Sequence, residues 1–175
     1  CSFCGDTSLA LGSRSQPGRE GSLFHPPAWP LRTHVFQGLA HQTLLPNGVT
    51  IGTVIKIRGV VLCRAGKFSV ILRSTCGPCD DYVLHFHPRL DQCVVVFNSR
   101  EHGSWGLEEF GSGRPFQAGQ PFKLLLIVQE DGFEGWGPRP RSLLQLGKAR
   151  KVLRGARVRL LEVRGDLLLE SVPVF

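Results

Sequence analysis

From Leu31 onward the apolar residues of this chain come in short β-type runs. Gly, Pro, Asn or Asp breaks them every eight to twelve residues or so. The runs read TVIKIRGVVL, KFSVILR, YVLHFHPRL, CVVVFNSR, SWGLEEF, FKLLLIVQEDGF and RVRLLEVRGDLLLESVPV. Such spacing is the signature of an all-β antiparallel sandwich or barrel. The 21 glycines and 12 prolines among 175 residues supply the turns. In the second run Val54, Ile55 and Ile57 set the pattern and Gly59 interrupts it. RGD at Arg164–Asp166 falls between two apolar runs and is expected as a hairpin turn.

Two regions break the pattern. Residues 1–29 are rich in Gly, Ser, Arg and Pro without periodicity, so they cannot bury enough surface to offset their ordering entropy and are expected as a flexible extension. The stretch Glu134–Arg157 starts with turn-breakers and then mixes Leu143, Leu144, Leu146, Val152 and Leu153 with many cations. A short basic helix or a long loop is the expectation there. The domain boundaries are therefore 1–29 for the extension and 30–175 for the globular domain, atypical between 135 and 157.

Composition narrows the function classes. Apolar content of 42% and charged content of 20% suit a globular domain, and a net charge of +7 favours acidic partners. No run reaches the roughly 20 apolar residues a membrane-spanning helix needs. The chain starts without Met, which suggests that it begins inside a longer product, and its own N-terminus has no basic-then-apolar secretory leader. Six cysteines without such a signal read as thiols rather than as a disulfide frame.

The chemistry concentrates between Tyr82 and Glu109. Side chains alternate along a strand, so His85, His87 and Arg89 share one face while Leu84, Phe86, Pro88 and Leu90 face the core. A connection through LDQC sets Asn98 near His85 or His87. After the turn REHGS, Trp105 opens a further run holding Glu108. Imidazoles, a guanidinium, an amide, an indole and a carboxylate then share one exposed surface. Sugar hydroxyls both donate and accept, so a sugar site needs both kinds of partner. A flat indole suits the C–H face of a pyranose, and galactose has one such face because its 4-hydroxyl is axial.

The bland alternative for His85, His87 and Arg89 is a solvated strand face. A metal site on His85 and His87 lacks a third ligand at usual spacing. CGPC at Cys76–Cys79 suggests redox chemistry, but strands flank it, no helix dipole is at hand, and Asp80 and Asp81 would raise the thiol pKa. Pairing it with Cys1 and Cys4 in a zinc site joins two distant segments. The cations Arg139, Arg141, Lys148, Arg150, Lys151, Arg154, Arg157, Arg159 and Arg164 read as a solvated basic face, with polyanion or nucleic-acid binding as the functional alternative. Trp29 and Trp136 are expected to cap a core edge.

The ordered motifs resemble the galectins, the galactoside-binding lectins whose pattern is H-x-N-x-R, V-x-N and W-x-x-E-x-R. This chain has His85-Phe86-His87-Pro88-Arg89, Val96-Phe97-Asn98 and Trp105-Gly106-Leu107-Glu108-Glu109-Phe110. The likeness covers about Pro30 to Glu134 and Leu161 to Phe175. It implies a two-sheet antiparallel jelly-roll sandwich with a sugar groove and without catalysis, metal or cofactor. His85 and Arg89 inherit contacts to the 4-hydroxyl, Asn98 and Glu108 to the 6-hydroxyl, and Trp105 stacks on the ring. His87 stands where the family has Asn, and Phe110 where it has Arg. Each change removes hydrogen bonding of roughly 1.5–3 kcal/mol, so weakened or altered binding of plain β-galactosides is expected. The alternatives are a galectin fold acting through protein–protein contacts, or a polyanion binder. The resemblance also implies β-galactoside glycans or glycoproteins as partners, a homodimer, no nucleic acid, and a place in the cytoplasm and, by a non-classical route, outside the cell.

Overall fold

The structure is a computed structural model, described here for residues 40–74, 81–111, 113–139, 142–149 and 157–175. Among these residues there are β-strands and no helix: β1 (His41–Leu44), β2 (Val54–Val61), β3 (Phe68–Ser74), β4 (Asp81–Arg89), β5 (Val94–Glu101), β6 (Ser104–Trp105), β7 (Glu109–Phe110), β8 (Pro121–Gln129), β9 (Gly132–Arg139), β10 (Ser142–Ala149), β11 (Val158–Gly165) and β12 (Leu167–Ser171). They form two antiparallel sheets. One runs β1-β11-β3-β4-β5-β6 with β7 also on β5, and the other runs β10-β9-β8-β2-β12.

The alternation of each strand explains the layering. Along β8, Phe122, Leu124, Leu126 and Val128 are buried while the residues between them are not, so one face of a polar-apolar strand is covered. Opposite them, Phe68, Val70 and Leu72 of β3, Leu84 and Phe86 of β4, and Val95 and Phe97 of β5 join the same core. Phe68 stacks on Phe122 at 5.3 Å between ring centres, and Phe86 meets Phe97 edge-on at 5.2 Å. Each such side chain contributes about 1.5–3 kcal/mol by leaving water. The run spacing leaves a sandwich or a barrel open; the all-β two-sheet sandwich that the resemblance implies is what forms.

Three local expectations are corrected. Gly59 does not interrupt β2. The strand passes through it, and a Cβ there would stand 2.4 Å from the Leu168 carbonyl oxygen of the neighbouring β12. Nor is Glu134–Arg157 a helix or loop over its described part. Gly132–Arg139 and Ser142–Ala149 pair as β9 and β10, and β9 also pairs with β8. The glycines that look like breakers lie where another side chain needs the space: a Cβ on Gly135 would approach the Phe97 ring to 3.0 Å. Pro138 lies beyond the last β8 partner, where Trp136 meets Leu125, so its missing N–H leaves no ladder acceptor on that side unpaired.

The third correction concerns Arg164–Asp166. β11 belongs to the first sheet and β12 to the second, so this tripeptide is a corner crossing between sheets rather than a hairpin turn. The Asp166 carboxylate accepts from the backbone N–H groups of Gly66 and Lys67, at 2.9 and 3.2 Å, and pins the corner to the start of β3. Residues 1–29, Trp29, Cys1, Cys4, Cys76 and Cys79 lie outside the described residues, as do Arg141, Arg150, Lys151 and Arg154.

Candidate functional site

The outer face of the first sheet, turned away from the core, carries the candidate site residues. The β4–β5 hairpin sets its register: His85 lies opposite Asn98, His87 opposite Val96 and Arg89 opposite Val94. The neighbouring β5–β6 turn puts Trp105 opposite Arg100, and β7 puts Phe110 opposite Val96. His85, His87, Arg89, Asn98 and Trp105 thus stand in adjacent rows of one surface, as alternation requires. Leu84, Phe86 and Pro88 are buried on the other face, as expected. Glu108 differs from expectation in one respect: it lies in the connection between β6 and β7, not within a strand.

Contacts tie these residues together. The indole of Trp105 is half exposed, at 52%, and its ring centre lies 5.1 Å from that of His85. The His85 and His87 rings are 4.9 Å apart. Arg89 binds Glu108 through both terminal guanidinium nitrogens, Nη2 to Oε1 and Nη1 to Oε2 at 3.5 Å. The carboxylate therefore has a cationic partner although residue 110 is Phe. Asn98 Oδ1 accepts from the Ser99 N–H at 2.7 Å, which fixes the amide plane and turns its NH2 donors outward from that bond.

Both imidazoles are pushed toward the neutral form. Burial, with His87, Arg164 and Arg89 nearby, lowers His85 from 6.5 to about 4. Burial and the cations Arg89, Lys67 and Arg164 lower His87 as well, against a smaller upward pull from Glu108. A neutral imidazole offers one donor and one acceptor, which is what a hydroxyl-rich ligand can use. His85 Nε2 is 3.1 Å from the Ser69 hydroxyl on β3.

Tyr82, Ser69 and Arg100 touch the candidate residues Trp105 and His85, and sequence reasoning passes over them. Period-two alternation puts Tyr82 on the face opposite His85, three positions away. A bulge moves it: β4 pairs Leu84 with Leu72 and then Tyr82 with Arg73, leaving Val83 extra. Tyr82 then meets Trp105 edge-on at 5.7 Å, and Arg100 lies over both the Tyr82 and Trp105 rings at 5.8 and 6.0 Å. Ser69 carries no sequence signal of its own, since it sits inside a buried strand. The aromatic Tyr82 next to the chemistry-bearing run was the available hint.

The cation run does not assemble into one free surface among the described residues. Lys148 pairs with Asp131 at 2.8 Å, Arg164 with Glu162 at 3.3 Å, and Arg159 Nη1 donates to the Pro46 carbonyl. Trp136 is not at a core edge. It lies between Leu125 and Gln145 on the outer face of the second sheet.

Comparison with known proteins bears on the family and the fold. The profile of the family "Galactoside-binding lectin" matches residues 40–136. Galectin-7 of Homo sapiens is 48% identical over 135 residues, covering 77% of this chain and 96% of that protein. Among solved structures, sheep Galectin-11 in complex with glycerol superposes with a TM-score of 0.62 at 24% identity, over 79% of this chain and 98% of that one. The Caenorhabditis elegans galectin LEC-6 superposes with a TM-score of 0.66 at 21% identity, over 82% and 94%. At those identities the two structures show a shared fold. Galectins are carbohydrate-binding lectins, not enzymes. With a family profile spanning more than half its length and a relative almost wholly covered at near one-half identity, this chain belongs to the galactoside-binding lectins, the galectin family.

Proposed function

We propose that the outer face of the first sheet binds β-galactoside glycans, with an affinity for plain β-galactosides reduced by His87 and Phe110. The observation that carries this reading is the half-exposed Trp105 indole standing beside His85, in the same group of rows as Asn98 and the Arg89–Glu108 pair. A pyranose laid on the indole would bury its C–H face there, and the polar groups around it would take the hydroxyls. Neutral His85 and the Arg89 guanidinium serve the 4-hydroxyl. The Asn98 amide and the Glu108 carboxylate serve the 6-hydroxyl.

Two local costs oppose tight binding. A hydroxyl taking His85 Nε2 competes with the Ser69 hydroxyl already 3.1 Å away, which offsets about 0.5–1.5 kcal/mol of the new bond. His87 is bulkier and holds its one donor and one acceptor in fixed directions on separate sides of the ring, not side by side as a carboxamide does, and Phe110 offers neither. The ligands in this reading are glycans of glycoproteins, in the cytoplasm or, by a non-classical route, outside the cell.

The test is titration with lactose, read by intrinsic fluorescence, on the native protein and on Trp105→Ala. Saturable quenching or a blue shift that disappears in the variant supports the reading. A response that survives in W105A, and so comes from the other two tryptophans, sinks it, as does the absence of any lactose response at millimolar concentrations.

A further inference from the structure

The row of the site beside His85 and Asn98 is apolar on one side only. Toward Tyr82 the next row carries Arg100, with Arg73 also over the Tyr82 ring at 5.8 Å. In the other direction the row reads His87, Val96 and Phe110 across β4, β5 and β7. His87 is pushed toward the neutral form, Val96 is covered, and Phe110 is 65% exposed on the same face as its partner Val96. Leu107, in the β6–β7 connection, is 92% exposed. Single exposed apolar residues are ordinary. These two belong to the short β6–β7 segment that also carries Glu108, and Phe110 extends a row that holds no charged side chain of its own, with the Arg89–Glu108 pair beside it.

The geometry points to an aglycone shelf: this site takes β-galactosides whose aglycone is an apolar group, which lies on Phe110 and Leu107 where the row offers little to a second sugar. The inference rests on the galactoside reading above and deepens it. Alternate residues of a strand are about 7 Å apart, close to the width of one pyranose. A galactose whose 4-hydroxyl is held from β4 by His85 and Arg89 has its anomeric carbon across the ring from that hydroxyl, so the substituent runs away from β4, over β5, toward Phe110 on β7. An apolar substituent is favoured there, because Phe110 offers exposed apolar surface and no hydrogen-bonding group. A sugar hydroxyl placed on Phe110 would exchange water for no partner.

The experiment compares methyl β-galactoside, phenyl β-galactoside and lactose by calorimetric titration of the whole protein, Trp105→Ala, Phe110→Ala and Leu107→Ala. The native protein is expected to prefer the phenyl over the methyl glycoside by about tenfold, which corresponds to roughly 55 Å² of apolar surface leaving water. Lactose is expected to bind no more tightly than the methyl glycoside. In F110A the phenyl-to-methyl ratio should fall to about one, and in L107A part of the way. Both residues are exposed, so neither variant threatens the fold. Equal binding of phenyl and methyl glycosides by the native protein, with both lost in W105A, overturns the shelf and leaves the lectin reading standing. A preference unchanged in F110A overturns it too. Binding of neither glycoside, or binding indifferent to W105A, removes the lectin reading and the shelf with it.

Discussion

Acid should weaken this fold through one imidazole. His85 is almost wholly covered, 9% exposed, in the middle of the first sheet, between Ile71 on β3 and Asn98 on β5. Its Nε2 meets the neutral Ser69 hydroxyl, and Arg89, Arg164 and the His87 ring around it all oppose a positive charge. Burial is the larger cause, and together they lower its pKa from 6.5 to about 4. The folded state therefore stays neutral while the unfolded chain takes up a proton below 6.5. The stability associated with neutral His85 is complete above pH 6.5, declines as pH falls through the window, and levels off below about pH 4. At 1.36 kcal/mol per pKa unit, a drop from 6.5 to about 4 amounts to at most about 3 kcal/mol. Carboxylates titrate over part of the same range, so the assay must subtract them. Urea unfolding of the native protein and of His85→Gln, measured from pH 7.5 to 3.5, isolates the imidazole: their difference should shrink by about 2–3 kcal/mol across the window. A difference independent of pH, or a His85 ring resonance that titrates near 6.5 by NMR, would refute the reasoning.

Three further outcomes follow from the same coordinates. Phe110→Arg should tighten lactose binding by about tenfold in calorimetric titration, the value of a recovered charge-assisted hydrogen bond, and His87→Asn by about threefold, the value of a neutral one; unchanged affinity in both would remove the account of why the native site is weakened. Leu146→Ala, emptying a fully covered position that packs over Gly137 from β10, should cost about 2–5 kcal/mol in urea unfolding, whereas a cost under 1 kcal/mol would show that β10 does not close the core. Asp166→Ala should cost about 1–3 kcal/mol by leaving the Gly66 and Lys67 N–H groups without their acceptor, read as a lower thermal midpoint with lactose affinity unchanged.

Much of the site is legible because strand geometry is local. His85, His87 and Arg89 differ by two positions each, and a period of two places them on one face wherever the strand lies. The short hairpin through LDQC then makes β5 one of the two neighbours of β4, which is why Asn98 arrives opposite His85. The same locality misleads at Gly59, Gly135 and Arg164–Asp166. There the decisive partner is far away in sequence: the Leu168 carbonyl, the Phe97 ring, and the Gly66–Lys67 backbone. A glycine that marks a close approach and a glycine that marks a turn have the same letter, so only the neighbour tells them apart.

Tyr82 shows the limit in its sharpest form, because here the local rule itself changes sign. Without the extra residue at Val83 the phenol ring would face the core, where its hydroxyl would need a buried partner. With the bulge, Val83 takes the core position, 4% exposed, and Tyr82 turns outward against Trp105. The apolar residue is thus covered and the amphipathic one left at the surface, so the bulge relieves a conflict between the strict alternation of β4 and the order of its side chains. A second consequence follows for the site. The Trp105 indole sits on a two-residue strand at the edge of the sheet, with few backbone bonds to hold it. The edge of Tyr82 and the guanidinium of Arg100 supply the support that such a short strand cannot. The plate on which a sugar would rest is therefore set by an irregularity of the neighbouring strands as much as by the motif that names it.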